Sequence, residues 1–221
     1  MIRAVCFDFD GTLAEFTGEF DLLLDRLQTE LTLADCDGDT FRTTLSREIR
    51  RDGAVTLESA LSATLEQLRL PPPADLDRAV RKAQHRYARG MKLLPGAIGA
   101  LDACRTHALP SALLTNGPYD LQRAAIEALG IEGHFRTVLI SGDPDVAAKK
   151  PHARMFSLAC TALESLPEQT LMVGDTAHTD LQGALDYGME ALLVGGEPEG
   201  GYDVLPSLDQ FPAWLVKRLD R

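Results

Sequence analysis

The stretch Phe7-Asp8-Phe9-Asp10-Gly11-Thr12-Leu13 is the most informative feature of this chain. Residues 3–7 predict a short buried strand, and two carboxylates, one residue apart, follow where that strand should end. Gly11 permits a sharp turn directly afterwards. Ligands of open α/β sheets bind beyond the carboxyl ends of the strands, and an unpaired buried carboxylate is costly. We therefore expect Asp8 and Asp10 to hold a cation or to carry chemistry.

Strand and helix patterns alternate over the rest of the chain. Buried strands are predicted over residues 3–7, 111–115, 137–140, 170–173 and 190–194. Apolar residues at three- and four-residue spacing predict helices over residues 96–107, 120–129, 152–163, 179–187 and 208–219. Such alternation implies a parallel sheet covered on both faces. The predicted fold class is α/β, with a Rossmann-like, doubly wound parallel sheet.

The segment of residues 14–92 has a different pattern, without a convincing strand. It carries helical apolar stripes, for example Phe20, Leu23, Leu24, Leu27 and Leu31, and Pro71-Pro72-Pro73 separates two of its helices. The sequence therefore predicts two parts. Residues 1–13 and 93–221 form the α/β core, and residues 14–92 form an all-α cap domain inserted after the first strand.

Composition excludes several classes of protein. The 221 residues are 45% hydrophobic, and no apolar run approaches the ~20 residues that a membrane helix needs. The net charge of −11 argues against a nucleic-acid partner, because phosphate backbones attract clustered Lys and Arg. The four cysteines form no CxxC pair, which favours reduced thiols. Without a signal-peptide pattern at the N-terminus, we expect a cytoplasmic protein.

Four polar clusters each follow a predicted strand. They are Asp8 with Asp10, Thr115-Asn116-Gly117, Lys149-Lys150-Pro151, and Gly174-Asp175-Thr176 with the nearby Asp180. In a parallel sheet, all four gather at one edge. Carboxylate oxygens suit Mg²⁺, which commonly takes one or two carboxylates together with substrate phosphate. A Lys beside hydroxyl and amide donors suits a phosphoryl group. Together these residue types point to phosphoryl transfer.

With these motifs in this order, the sequence resembles the haloacid dehalogenase superfamily of phosphohydrolases. The resemblance rests on DxDGT at residues 8–12, a hydroxyl at Thr115, Lys150-Pro151, and GDxxxxD at residues 174–180. It covers the α/β part, about two thirds of the chain. The insertion resembles the helical, C1-type cap of one subgroup. Dehalogenases of this superfamily lack an acidic residue at the place of Asp10, so the resemblance favours phosphate esters.

The resemblance implies a role for each matching residue. Asp8 would be the nucleophile that forms an aspartyl-phosphate. Asp10 would be the general acid and base. The Asp8 carboxylate, the Asp10 backbone carbonyl and Asp175 would bind Mg²⁺. Asp180 and Thr12 would lie outside this ligand set, where Asp180 orients metal-bound waters or the Lys.

The remaining matches concern the phosphoryl group. Thr115 and the Asn116 amide would hold its oxygens, and Lys150 would offset its charge and that of Asp8. Lys149 is an adjacent rival, although the position before Pro151 fits the family pattern better.

The sequence thus predicts a Mg²⁺-dependent phosphomonoester hydrolase acting on a small phosphorylated metabolite. A phosphomutase and a non-catalytic phospho-ligand-binding protein are the alternatives. Many superfamily members acting on sugar phosphates or phosphoglycolate carry an Asp shortly after DGTL, where this chain has Glu15. This departure argues against transferring those particular substrates to the chain. The sequence leaves the natural substrate and the oligomeric state open.

Overall fold

A computed structural model describes residues 1–33, 36–196 and 202–220. Small parts of the predicted cap and core therefore lie outside the described residues, namely residues 34, 35, 197–201 and 221. The strands are β1 (Ala4–Asp8), β2 (Ala14–Phe16), β3 (Met91–Leu93), β4 (Ser111–Thr115), β5 (Thr137–Ile140), β6 (Thr170–Gly174), β7 (Glu190–Val194) and β8 (Asp203–Leu205). The helices are α1 (Phe20–Glu30), α2 (Gly38–Ile49), α3 (Leu57–Gln67), α4 (Leu76–Gly90), α5 (Ala97–Thr106), α6 (Tyr119–Leu129), α7 (Ala153–Leu163), α8 (Gly183–Asp186) and α9 (Phe211–Leu219).

Six strands form one parallel sheet in the order β5-β4-β1-β6-β7-β8. The chain winds outward on one side of β1 and then crosses to the other side. This topology places a switch point at the carboxyl end of β1, where α/β proteins bind ligands. The predicted α/β fold class is confirmed, and β8 adds a strand that the sequence patterns did not predict.

Side chains of β1 point alternately to the two faces of the sheet, as strand geometry requires. Phe7 packs edge-on against Phe211 of α9, with ring centroids 5.5 Å apart. Cys6, on the other face, belongs to the same buried cluster as Met155 and Phe156 of α7. All five residues of β1 are buried. Burial on both faces explains why this strand is a nearly continuous apolar run until Asp8.

Helices α1 to α4 lie between β2 and β3, which pair as a short antiparallel ribbon. The sequence pattern predicts no strand in residues 14–92. Strands of three residues are too short to display a period-2 pattern, so the sequence pattern does not predict the ribbon. Its residues fall at both predicted boundaries of the cap, and the division into cap and core at these boundaries stays a prediction.

The helical segment, which comprises α1 to α4, is also hydrogen-bonded to the α/β part away from the β2-β3 ribbon. The Val55 amide donates to the Gly142 carbonyl (3.0 Å), and the Tyr119 amide donates to the Val55 carbonyl (2.9 Å). Asp120 of α6 accepts from the Leu57 amide at the start of α3 (2.7 Å). These contacts hold the helices over the carboxyl edge of the sheet.

The predicted helix over residues 179–187 is wrong in its geometry. The segment Ala177–Gln182 forms a π-helical turn, and only Gly183–Asp186 is α-helical. The amide of Thr176, directly before this turn, donates to the Asp180 carboxylate (3.1 Å). π-helical turns often occur at functional sites. Among the described residues, no helix combines the length and the hydropathy that a membrane span requires.

Candidate active site

The strand register brings the predicted site residues to one edge of the sheet. Asp8, the last residue of β1, pairs with Leu114 of β4, so Thr115 lies one residue beyond it. On the other side, Phe7 pairs with Val173 of β6. Asp175 follows that strand directly. Residues that are more than 160 positions apart in sequence therefore meet beside the end of β1.

The turn after β1 depends on glycine. Gly11 has a φ of 86°, in the left-handed region that side chains rarely adopt. Its amide donates to the Ala14 carbonyl (2.8 Å), which closes the turn. A Cβ atom at residue 11 would also overlap the Asp175 carboxylate. Gly11 thus permits both the turn and the close approach of Asp175.

Three carboxylates form a compact acidic cluster. One oxygen each from Asp8, Asp175 and Asp180 lies within 4.8 Å of the other two. The Thr12 hydroxyl lies 3.2 Å from an oxygen of Asp8 and 3.4 Å from one of Asp175, so it links these two side chains. Asp8 and Asp180 are only 6% and 1% exposed. The cluster therefore concentrates negative charge where water cannot fully solvate it.

Lys150 places its ammonium group among these carboxylates. It donates to Asp8, and its Nζ lies 2.8 Å from an oxygen of Asp180. Burial alone would lower the pKa of Lys150, but the two carboxylates outweigh burial and raise it, so the side chain stays charged. Burial also raises the pKa of Asp8, and the Lys150 ammonium opposes this shift. The pair keeps the Asp8 carboxylate in a defined position.

Thr115 ends β4, and the next residue, Asn116, contacts the loop that carries Lys150. The side-chain amide of Asn116 donates to the Lys150 carbonyl (2.9 Å) and accepts from the Lys150 amide (2.8 Å). Asn116 therefore fixes the backbone that carries the lysine. The Thr115 hydroxyl is buried, and no other described residue offers it a hydrogen bond. Such an orphaned group indicates a partner that belongs to a ligand or to water.

The side chain of Asp10 turns away from the acidic cluster. Its Oδ2 accepts from the Gln122 amide (2.8 Å), and its Oδ1 lies 3.4 Å from the Tyr87 hydroxyl. Burial raises the pKa of Asp10 to about 6, although the Gln122 hydrogen bond works in the other direction. A carboxyl with this pKa can both give and take a proton near neutral pH.

The acidic cluster fits a divalent cation. Asp8, Asp175 and Asp180 carry three negative charges, and Lys150 brings one positive charge into contact with two of them. The donors are oxygen atoms, which hard cations prefer. A bound dication would therefore have suitable oxygen ligands. It would also offset the negative charge of the carboxylates that Lys150 does not neutralise.

A cavity of about 280 Å³ lies between the helical segment and the sheet edge. Phe20, Ile49 and Leu121 give it apolar walls, while Tyr87, Asn116 and Gln122 contribute polar atoms. Its two charged lining residues are both cationic, namely Arg50 and Lys149. Lys149 donates to the Arg50 carbonyl. Lys149 therefore faces the helical segment, whereas Lys150 faces Asp8.

The structure thus gathers Asp8, Thr12, Asp175, Asp180 and Lys150 into one hydrogen-bonded group. Asn116 joins this group through the backbone of Lys150, while the side chain of Asp10 is held beside it. Thr115 lies at the neighbouring strand end.

Sequence reasoning did not select Gln122 or Tyr87 as site residues. Gln122 occupies a buried position on a helix face that also buries Leu121, Ala125 and Ile126. A polar residue on an apolar face was the available signal. Tyr87 shares a helical apolar stripe with Ala79, Val80 and Ala83, so its spacing assigns it to the core.

Comparison with known proteins agrees with this geometry. A family model described as haloacid dehalogenase-like hydrolase matches residues 2–188. The chain belongs to the haloacid dehalogenase-like hydrolase family. A phosphoglycolate phosphatase from Salmonella typhimurium is 32% identical over 237 residues, which cover 94% of this chain and 92% of that protein. The predicted family is confirmed, and the chain is a phosphatase-type enzyme of this family.

Two further matches say less about function, one because it covers only part of the chain and the other because its sequence identity is low. A phosphoserine phosphatase from Thermus thermophilus is 40% identical over 124 residues, which cover 55% of this chain and about half, 49%, of that protein. The crystal structure of a HAD phosphatase from Thermococcus onnurineus has a TM-score of 0.73 at 24% identity and covers 97% of this chain and 98% of that chain. Over nearly its whole length, this haloacid dehalogenase-like hydrolase therefore has the same fold as the Thermococcus protein.

Proposed function

We propose that the protein is a Mg²⁺-dependent phosphomonoester hydrolase that works through an aspartyl-phosphate on Asp8. The observation that carries the proposal is that two neighbouring carboxyl groups, whose pKa values burial raises in both cases, have different hydrogen-bond partners. Asp8 is held by the Lys150 ammonium, which favours a charged nucleophile. Asp10 is held by neutral donors and has a pKa raised to about 6, which favours a group that exchanges protons. Two carboxyls with different environments suit two different roles.

The reaction then proceeds in two steps. An oxygen of Asp8 attacks phosphorus, the bond from phosphorus to the ester oxygen breaks, and the Asp10 proton goes to that leaving oxygen. A water molecule next attacks the phosphorus, Asp10 accepts its proton, and the bond to Asp8 breaks to release inorganic phosphate. Covalent catalysis replaces one difficult step by two easier ones. Lys150 stabilises the negative charge throughout.

Asp8, Asp175 and the backbone carbonyl of Asp10 are the proposed Mg²⁺ ligands. When bound, Mg²⁺ supplies charge neutralisation for the phosphoryl group. Asp180 contacts both Lys150 and the Thr176 amide, so we assign it the role of holding the lysine in place. The orphaned Thr115 hydroxyl is the proposed donor to a phosphoryl oxygen.

The substrate class that fits best is a small phosphorylated carboxylic acid. The cavity of about 280 Å³ has a positive lining from Arg50 and Lys149, which suits a substrate with a second anionic group. Phosphoglycolate and phosphoserine, from which the two relatives take their names, are both molecules of this kind. Glu15 is exposed on β2 and does not line the cavity.

A panel of phosphate esters tests the proposal. Turnover of 2-phosphoglycolate should require Mg²⁺ and should vanish with EDTA or with Asp8→Asn, and equal rates under all three conditions would contradict it. Release of inorganic phosphate distinguishes the hydrolase from a phosphomutase, which would transfer the group instead.

The substrate class has its own test. Wild-type protein should prefer 2-phosphoglycolate over 2-hydroxyethyl phosphate, which has the same length but no carboxylate. Lys149→Met should weaken this preference. Lys82→Met, which removes an exposed lysine from α4, is the matched control and should keep it. An unchanged preference in Lys149→Met would remove Lys149 from the recognition of the carboxylate.

A further inference from the structure

Two polar side chains from different parts of the chain converge on the Asp10 carboxylate. The Gln122 amide donates to its Oδ2 (2.8 Å), and the Tyr87 hydroxyl lies 3.4 Å from its Oδ1. We propose that Gln122 and Tyr87 are positioning residues that hold the Asp10 carboxyl in the orientation in which it protonates the leaving oxygen. This inference rests on the proposed function, since it takes Asp10 as the acid.

The surroundings of Gln122 are built around this contact. The side chain is 4% exposed, and its Oε1 is buried without a hydrogen-bond partner among the described residues. Burying an amide in this way costs free energy that an apolar residue would avoid. A Cβ atom at Gly117 would lie 2.7 Å from the Gln122 Nε2, so only glycine leaves the amide its present place. The glycine of the Thr115-Asn116-Gly117 cluster thus makes room for the side chain that holds Asp10.

Tyr87 reaches Asp10 from the helical segment. It lies on α4, is 6% exposed, and stacks on Phe16 of β2 with ring centroids 5.0 Å apart. Phe20 of α1 packs edge-on against the same ring at 6.2 Å. The Phe16 ring itself fills the space beside Gly90, directly before β3. The Tyr87 hydroxyl is therefore fixed by the ribbon that connects the helical segment to the sheet.

The two contacts have different origins, and together they make the orientation of Asp10 depend on both parts of the chain. Gln122 belongs to α6 in the α/β part, whereas Tyr87 lies on α4 of the helical segment. An acid works only within hydrogen-bond reach of the atom that it protonates. The position of the helices over the sheet edge thus determines whether Asp10 is ready to act.

Leaving groups with different proton demands provide the test. The alkyl ester 2-phosphoglycolate needs a proton on its leaving oxygen, whereas p-nitrophenolate leaves without one. General acid catalysis contributes about 10²–10⁴-fold, so Gln122→Met should lower kcat/KM for the alkyl ester by roughly 10–100-fold and that for p-nitrophenyl phosphate by less than about 3-fold. Tyr87→Phe keeps the ring and should produce the same selectivity with a smaller fall of about 2–10-fold.

A double-mutant cycle separates positioning from a general structural role. Because Gln122 acts through Asp10, the pair Asp10→Asn/Gln122→Met should be no slower than Asp10→Asn alone. Gln28→Met, which removes a half-buried glutamine whose amide donates to the Cys36 carbonyl far from Asp10 in sequence, is the control and should leave both esters unaffected. Equal losses for both esters, or a further loss in the double variant, would overturn the inference.

The two proposals fail in distinguishable ways. If the proposed function is wrong, wild-type protein will turn over neither ester, or Asp10→Asn will not discriminate between them. If only the present inference is wrong, Asp10→Asn will discriminate between the esters and Gln122→Met will not.

Discussion

Replacing Lys150 by Met should destabilise the fold by about 3–5 kcal/mol, because it leaves two buried carboxylates without their cation. The side chains of Lys150, Asp8 and Asp180 are 2%, 8% and 1% exposed, so water cannot take over the role of the ammonium. Met preserves the apolar stem of the lysine, and the loss therefore reports on charge rather than on packing. For a chain of this length, the melting temperature should fall by roughly 6–20 °C.

The loss should depend on pH in a defined direction. Burial raises the pKa values of Asp8 and Asp180, and Lys150 opposes the shift in each case. In Lys150→Met both values lie further above those of the unfolded chain, so the folded state binds more protons than the unfolded state does. The stabilisation that comes from these two raised pKa values is fully present below the unfolded pKa near 3.8. It is lost as the pH rises through the pKa values that Asp8 and Asp180 have in the folded variant.

Urea unfolding at pH 4.5 and pH 8, without divalent cations, measures both effects. The destabilisation should be large at pH 8 and much smaller at pH 4.5, and Mg²⁺ should restore more stability to the variant than to wild-type protein. Lys82→Met provides the baseline for the loss of an exposed lysine. If Lys150→Met loses less than about 1 kcal/mol of unfolding free energy at pH 8, Lys150 is not needed to compensate the buried charges of Asp8 and Asp180.

Three further changes have expected outcomes of their own. Asp175→Asn should raise the Mg²⁺ concentration for half-maximal activity by more than about 10-fold, and an unchanged Mg²⁺ titration would exclude Asp175 as a ligand. Since Asp10 must be protonated to act as the acid and its pKa is raised to about 6, kcat/KM for an alkyl phosphate should fall above pH 6, and this decline should disappear in Asp10→Asn. Gly11→Ala forces a side chain into the left-handed region and against Asp175, so urea unfolding should report a loss of about 1–3 kcal/mol; full stability would contradict the account of the turn.

Residues that follow long buried strands were predictable from the sequence. The apolar runs before Asp8, Thr115 and Asp175 predict parallel strands, and parallel strands require that their carboxyl ends share an edge. The choice between Lys149 and Lys150 also follows the motif, since Lys150 contacts Asp8 and Lys149 contacts the backbone of the helical segment.

Features that depend on three-dimensional contacts were not accessible in this way. Gln122 meets Asp10 across 112 positions of sequence, and nothing local to either residue encodes their meeting. Tyr87 fits the apolar stripe of α4, so periodicity assigns it to the core and misses its hydroxyl. The π-helical turn over Ala177–Gln182 was likewise missed, because the spacing of apolar residues predicts an ordinary helix there.

The central claim is that Asp8 carries the phosphoryl group during turnover. Rapid acid quenching during hydrolysis of 2-phosphoglycolate with Mg²⁺, followed by peptide mass spectrometry, measures this directly. We expect one phosphoryl group on Asp8, with rates of formation and loss at least as high as kcat, and none in Asp8→Asn. Turnover without a phosphorylated residue 8, or with the phosphoryl group on another side chain, would contradict it.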